Sequence, residues 1–174
     1  MKSFNSAGID YMFTGALAAS YYGRPRTTMD ADIVVRISSK GRTRDEFVSA
    51  LKEAGAQVDE RKIGLAFDSG FKIVTFGDSR SPFTLDTIFS RRKLDKRPGT
   101  MLSLPTFYQA PEELILAKLR MIKATVPRER AFKDEEDVKA ILKFTKVDVN
   151  GLKRKACRNS TLSILEDIFI GTKG

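Results

Sequence analysis

Apolar and polar positions alternate with two different spacings along the chain, and the change between them predicts two regions of different structure. In the first 110 residues, short apolar runs between turn formers predict four strands, at 11–14, 31–37, 71–77 and 83–89. Spacings of three and four predict helices in the same region, at 15–22 and 43–54. After Pro105 the spacing is helical throughout, and predicts helices at 111–123, 134–145, 148–157 and 161–170.

This order of elements predicts an α+β fold, in which a small mixed β-sheet flanked by helices is followed by a helical C-terminal tail. We expect residues 1–110 to form the core and residues 111–174 a helical region packed on it, within one structural domain. A length of 174 residues with 41% hydrophobic residues is enough for one well-buried core. Strands 71–77 and 83–89 are expected to pair as a hairpin, because residues 77–82 are rich in turn formers.

Two carboxylates, Asp30 and Asp32, stand one residue apart at the start of the apolar run that continues through Ile33 to Ile37. In a strand, alternate side chains leave the same face roughly 6 to 7 Å apart, which one divalent ion can bridge. Two neighbouring carboxylates are costly to bury without a cation. The alternative interpretation is a solvated strand end.

Upstream of these carboxylates, Gly15 stands between the strand at 11–14 and the helix at 15–22. Glycine allows the backbone to approach a ligand closely. The unpaired amides at the start of the helix favour anions, which is a common basis of phosphate binding. The sequence therefore places a potential anion site beside a potential metal site.

The sequence contains no histidine and a single cysteine, Cys157. Ser-His-Asp triads, Cys-His pairs and histidine-ligated metals are excluded, and Cys157 has no partner for an internal disulfide. Clustered carboxylates suit hard ions such as Mg²⁺ or Mn²⁺. Phosphoryl chemistry is the main class of reaction that remains.

These residues resemble the minimal nucleotidyltransferases of the DNA polymerase β superfamily, whose signature is Gly-[Gly/Ser], a spacer, and acidic-x-acidic on a strand. Here the pattern is Gly15-Ala16, thirteen residues, and Asp30-Ala31-Asp32. The likeness covers 11–142 and is strongest to the abortive-infection toxin-like branch, in which a segment like 22–28 often precedes the aspartates. Ala16 departs from the pattern, because many members have a second glycine or a serine there.

The resemblance implies a third carboxylate on a later strand, and Asp86 in the strand 83–89 matches it. Asp86 shares its face with Thr84 and Ile88, so a hydrogen-bonded buried aspartate is the alternative. The implied metal ligands and catalytic residues are Asp30, Asp32 and Asp86. The implied nucleotide-binding residues are Gly15, Ala16, Arg26, Thr28 and Lys118. Arg26 could equally be a surface residue or an ion-pair partner of Asp30.

Lys118 lies within the apolar stripe of the helix predicted at 111–123. Its ammonium group needs an anion or a route to solvent, and snorkelling to solvent is the ordinary outcome. Family members often have a lysine in a similar helix, which implies contact with nucleotide phosphates. Asp137 is expected to support the site by orienting Lys118, whereas Asp134 is expected to be the N-cap of its helix.

The implied reaction transfers a nucleoside monophosphate from a nucleoside triphosphate such as ATP to a hydroxyl, with Mg²⁺ or Mn²⁺ as cofactor. RNA, including tRNA, is the favoured acceptor, because the formal charge is +9 and basic residues concentrate at 91–97 and 153–158. The alternative is that these two segments are merely solvated faces. Three alternatives remain: a catalytically degenerate nucleotide-binding or RNA-binding member of a toxin and antitoxin pair, with an antitoxin protein as partner; nucleotidylation of a protein; and transfer to a small molecule. No apolar run is long enough for a membrane span, so a cytoplasmic protein is the default expectation.

Overall fold

The computed structural model describes residues 1–37, 43–69, 73–78 and 81–171. The chain forms two compact units, and the division falls inside one helix. The first unit consists of Met1–Leu17 and Thr27–Gln109, and the second of Ala18–Arg26 and Ala110–Gly174.

The elements of the two units follow the predicted order of a sheet region and then a helical region. The strands are β1 (Tyr11–Phe13), β2 (Asp30–Arg36), β3 (Ile73–Asp78), β4 (Ser81–Ser90), β5 (Lys96–Met101) and β6 (Leu104–Gln109). The helices are α1 (Lys2–Ser6), α2 (Gly15–Tyr22), α3 (Thr43–Glu53), α4 (Glu60–Ser69), α5 (Pro111–Ala124), α6 (Phe132–Phe144), α7 (Val149–Arg158) and α8 (Leu162–Gly171), with a short 3₁₀ turn at Arg128–Ala131.

The strands form one mixed six-stranded sheet in the order β3-β4-β2-β1-β6-β5. The pairs β2–β4 and β1–β6 are parallel, and the other three pairs are antiparallel. This confirms the predicted α+β class with a mixed sheet. It also confirms the antiparallel pairing of β3 with β4, although residues 71, 72, 79 and 80 of the predicted strand and turn lie outside the described residues.

An aromatic cluster holds helix α3 against the sheet. The ring of Phe47 lies 5.9 Å from that of Phe76 on β3 and 5.2 Å from that of Phe89 on β4. Phe4 of α1 contacts the same ring from another side, at 5.5 Å. The predicted helix at 43–54 therefore covers the sheet, as its apolar face indicated.

Four elements of the first unit were not predicted: α1, α4 and the hairpin β5–β6. The hairpin turn is Leu102-Ser103, and both residues have positive φ, 50° and 63°. Such turns usually contain glycine, asparagine or aspartate, so the local sequence carries no hairpin signal. Pro98 also argues against a strand, but β5 is at the edge of the sheet, where proline is tolerated.

The second unit is helical, with apolar faces on α5 and α6 that are almost completely buried. Leu114, Ile115 and Leu119 of α5 and Val138 and Ile141 of α6 are at most 1% exposed. Within the described residues, no helix is both long enough and apolar enough to cross a membrane. The predicted helix 134–145 begins two residues earlier, at Phe132.

Candidate active site

The three candidate metal ligands lie on one face of the sheet in the first unit. Asp30 and Asp32 are two residues apart on β2, and Asp32 is aligned with Asp86 on β4. Aligned residues of neighbouring parallel strands point to the same face. The parallel register therefore brings the Asp86 side chain beside that of Asp32.

Threonine hydroxyls bind two of these carboxylates. Thr84 Oγ1 donates to Asp30 Oδ1 at 2.6 Å, and Thr75 Oγ1 donates to Asp86 Oδ1 at 2.6 Å. Each threonine is aligned across the sheet with the aspartate it contacts. Neither contact could be predicted from the sequence, because only the strand register reveals them. Asp86 is partly exposed rather than buried among core residues.

The donor set fits a hard divalent ion in its chemistry, since carboxylate oxygens are the ligands that Mg²⁺ and Mn²⁺ prefer. In the part of the chain that the structure describes, however, no three acidic or thiol side chains converge closely enough to hold an ion. The hydrogen bonds to Thr75 and Thr84 engage one oxygen of Asp86 and one of Asp30. Ion binding would therefore require reorientation of these carboxyl groups.

Gly15, the first residue of α2, is in close contact with Asp32. Its φ is +57°, and a Cβ at this position would collide with Asp32 Oδ2. The Asp32 carboxylate therefore lies close to the backbone at the start of the helix. A negative group is favoured at that end of a helix dipole.

We expect Gly15→Ala to lower the free energy of unfolding by about 2 kcal/mol or more, because the left-handed backbone costs an alanine about 1 to 2 kcal/mol and the methyl group also collides with Asp32. Gly8→Ala is the matched control, since Gly8 has φ +65° and open space around its Cβ position. Urea denaturation of both variants measures the difference. Equal losses of stability would show that the collision with Asp32 adds nothing to the cost of the left-handed backbone.

Thr28 and Ala16 also belong to the first unit, where Thr28 lies two residues before Asp30 and Ala16 follows Gly15. The Thr28 hydroxyl donates to the Asp30 carbonyl oxygen at 3.1 Å and accepts from the Asp30 N–H at 3.3 Å. Thr28 thus orders the entry into β2. Ala16 is the second residue of α2 and is 7% exposed, so its side chain belongs to the packing of the protein.

The other candidate residues, Arg26, Lys118 and Asp137, form an ion-pair cluster in the second unit. Lys118 Nζ lies 2.8 Å from Asp134 Oδ1 and 2.8 Å from Asp137 Oδ2. Arg26 makes a bidentate contact with Asp137 through Nε and Nη2, both at 3.0 Å. Lys118 and Asp137 are each 6% exposed.

This cluster corrects one expectation from the sequence, the N-cap role of Asp134, and decides between the alternatives for the surroundings of Lys118 and Arg26. Lys118 does not snorkel to solvent, because two carboxylates neutralise it where it is buried. Asp134 is not an N-cap: Ala131 occupies that position, and Asp134 binds Lys118 from the first turn of α6. Arg26 pairs with Asp137. The contact of Asp137 with Lys118 was predicted from the sequence, whereas the bidentate contact of Arg26 with Asp137 was not.

Comparison with known proteins gives similarity at the level of structure. No family model matches the chain, and no curated protein sequence matches it. An antigenic nucleotidyltransferase-like protein from Paracoccidioides brasiliensis superposes with a TM-score of 0.62 at 14% identity, over 99% of this chain and 88% of that one. The chain has a nucleotidyltransferase fold.

Two structures of ANT(2″)-Ia show the same fold. The crystal structure of its complex with adenylyl-2″-tobramycin matches with a TM-score of 0.64 at 15% identity, covering 91% of this chain and 92% of that one. The solution structure of this antibiotic-resistance factor matches with a TM-score of 0.57 at 12% identity, covering 95% and 90%. Identities this low establish the fold alone.

Proposed function

We propose that this protein is a metal-dependent nucleotidyltransferase that moves a nucleoside monophosphate from a nucleoside triphosphate to a hydroxyl. The observation that carries the proposal is the register of β2 and β4, which aligns Asp32 of β2 with Asp86 of β4. Asp30 lies two residues before Asp32 on the same strand. The nucleotidyltransferase fold supports it.

In the proposed reaction, the acceptor oxygen forms a bond to the α-phosphorus as the bond to the bridging oxygen breaks, and pyrophosphate leaves. Asp30, Asp32 and Asp86 would hold Mg²⁺ or Mn²⁺, and the ion would stabilise the charge on the phosphate and lower the pKa of the acceptor hydroxyl. Asp86, oriented by Thr75, accepts the proton of that hydroxyl. Gly15 has no side chain, and this leaves room for the Asp32 carboxylate at the start of α2.

Phosphate binding by Arg26 and Lys118 stays a prediction. Their ion pairs with Asp134 and Asp137 already explain why these charges are retained in the second unit. An ammonium group has three donors, and two of those of Lys118 have carboxylate partners among the described residues. The third is the donor we assign to a phosphate oxygen.

RNA is the acceptor we propose, on the basis of the net charge of +9 and of exposed basic side chains at Arg91, Arg92 and Lys93. A small-molecule hydroxyl is the second candidate. It is favoured by the similarity to ANT(2″)-Ia, whose crystal structure contains adenylyl-2″-tobramycin.

Transfer of label from α-labelled nucleoside triphosphates tests the function and the acceptor together. We expect label in RNA with Mg²⁺ or Mn²⁺, and none after chelation with EDTA or in the Asp30→Asn, Asp32→Asn double variant. Label in an aminoglycoside or in protein would replace RNA as the acceptor. Nucleotide binding without pyrophosphate release under any condition would contradict the enzymatic proposal and favour a binding protein, such as one partner of a toxin and antitoxin pair.

A further inference from the structure

A cleft of about 360 Å³ lies within the second unit. Its walls come from the segment Arg24, Pro25 and Arg26, from α6 between Glu136 and Phe144, and from Gly171 at the end of α8. The volume is at the lower end of the range for small-ligand pockets and has room for roughly one nucleotide.

The charge of this cleft is only partly neutralised. Four cations and two carboxylates line it, and the carboxylates are already used: Asp137 binds Arg26, and Glu136 binds Lys139 at 2.8 Å. Arg24 and Lys143 have no carboxylate partner among the residues that the structure describes. The cleft therefore retains two positive charges for an external anion.

An exposed aromatic ring stands beside these charges. Phe144 is 57% exposed at the end of α6, and Lys143 Nζ lies 5.7 Å from the centre of its ring. A ring left open next to cations is the arrangement that binds single-stranded nucleic acid, because a base stacks on the ring while the cations contact the phosphates.

We infer that this cleft binds one nucleotide of a single-stranded RNA, with the base on Phe144 and the flanking phosphates on Arg24 and Lys143. The inference rests on the proposed function for the role of that RNA as acceptor, but the binding itself needs neither metal nor turnover. A duplex does not fit, because its bases are stacked on each other and are closed to a side-chain ring.

Helix α6 supplies its own matched controls. Phe132 and Lys133 are an exposed aromatic–lysine pair at the start of the helix, and Phe132 is 63% exposed. Phe144→Leu is therefore compared with Phe132→Leu, and Lys143→Gln with Lys133→Gln. Arg24→Gln tests the remaining cation.

The measurement is fluorescence anisotropy of a labelled single-stranded RNA of about ten nucleotides, titrated with full-length protein in EDTA. We expect Phe144→Leu to weaken binding about tenfold, and Arg24→Gln and Lys143→Gln each to reduce the slope of log affinity against log salt by about 0.7. The control variants are expected to bind like wild type.

Three results would overturn the inference: equal effects in cleft and control variants, equal affinity for duplex RNA, or displacement of the RNA by micromolar free nucleotide, which would make the cleft a mononucleotide site. Because the assay contains no metal and no triphosphate, these results are separate from any failure of nucleotidyl transfer. A loss of transfer in Asp86→Asn with unchanged RNA binding would support both proposals.

Discussion

Asp86→Asn is expected to reduce nucleotidyl transfer roughly a hundredfold to ten-thousandfold while leaving the protein folded. The amide occupies nearly the same volume as the carboxylate, and its oxygen can still accept the hydrogen bond from Thr75. What is lost is the negative charge that would bind a divalent ion and the base that would accept the hydroxyl proton. Initial rates of label transfer at saturating Mg²⁺ measure the effect.

Two further variants are compared with Asp86→Asn, one with a smaller expected loss of activity and one with none. Thr75→Val removes the hydroxyl that orients Asp86, and we expect a loss of about tenfold to a hundredfold, expressed mainly as a higher Mg²⁺ requirement. Asp95→Asn changes an exposed aspartate of the same unit and is expected to have no effect. Full activity in Asp86→Asn, or equal losses in Asp86→Asn and Asp95→Asn, would remove Asp86 from the site.

The second large effect is on stability. Lys118→Met is expected to lower the free energy of unfolding by about 3 kcal/mol, because it leaves the buried Asp137 with only Arg26 and leaves Asp134 without its partner. Methionine matches the length and apolar stem of lysine, so packing is largely preserved. Denaturant unfolding of the full-length chain gives the value.

Lys139→Met is the matched control for this change. It breaks the pair of Lys139 with Glu136, whose side chains are 33% and 44% exposed, and is expected to cost about 0.5 kcal/mol or less. Similar costs for the two variants would show that the buried cluster contributes nothing specific.

The same two variants test the predicted contact of Lys118 with nucleotide phosphates. We expect nucleoside triphosphate and Mn²⁺ to raise the melting temperature of the wild type and of Lys139→Met, but not that of Lys118→Met.

The local sequence pattern was sufficient to predict those helices and strands whose ends are marked by characteristic residues. Pro111 followed by Glu112 and Glu113 indicates the start of α5, and the helix begins there. The hairpin β5–β6 could not be predicted, because a Leu-Ser turn with positive φ gives no local signal and Pro98 argues against a strand. What joins this hairpin to the sheet is the parallel pairing of β6 with β1, in which Phe13 is aligned with Tyr108.

The candidate site, like the fold, could be predicted from the sequence only in part. By itself, the sequence limited the ligands of any metal site almost entirely to oxygen, since the chain has no histidine and a single cysteine. Only the tertiary structure decided the neighbours of those aspartates: Asp86 beside Asp32, Thr75 and Thr84 on the carboxylates, and Gly15 against Asp32. It also decided that Lys118 is neutralised by Asp134 and Asp137 where it is buried. The reason is physical: residue type and periodicity are local properties, whereas register, burial and ion pairing arise from contacts between residues far apart in the chain.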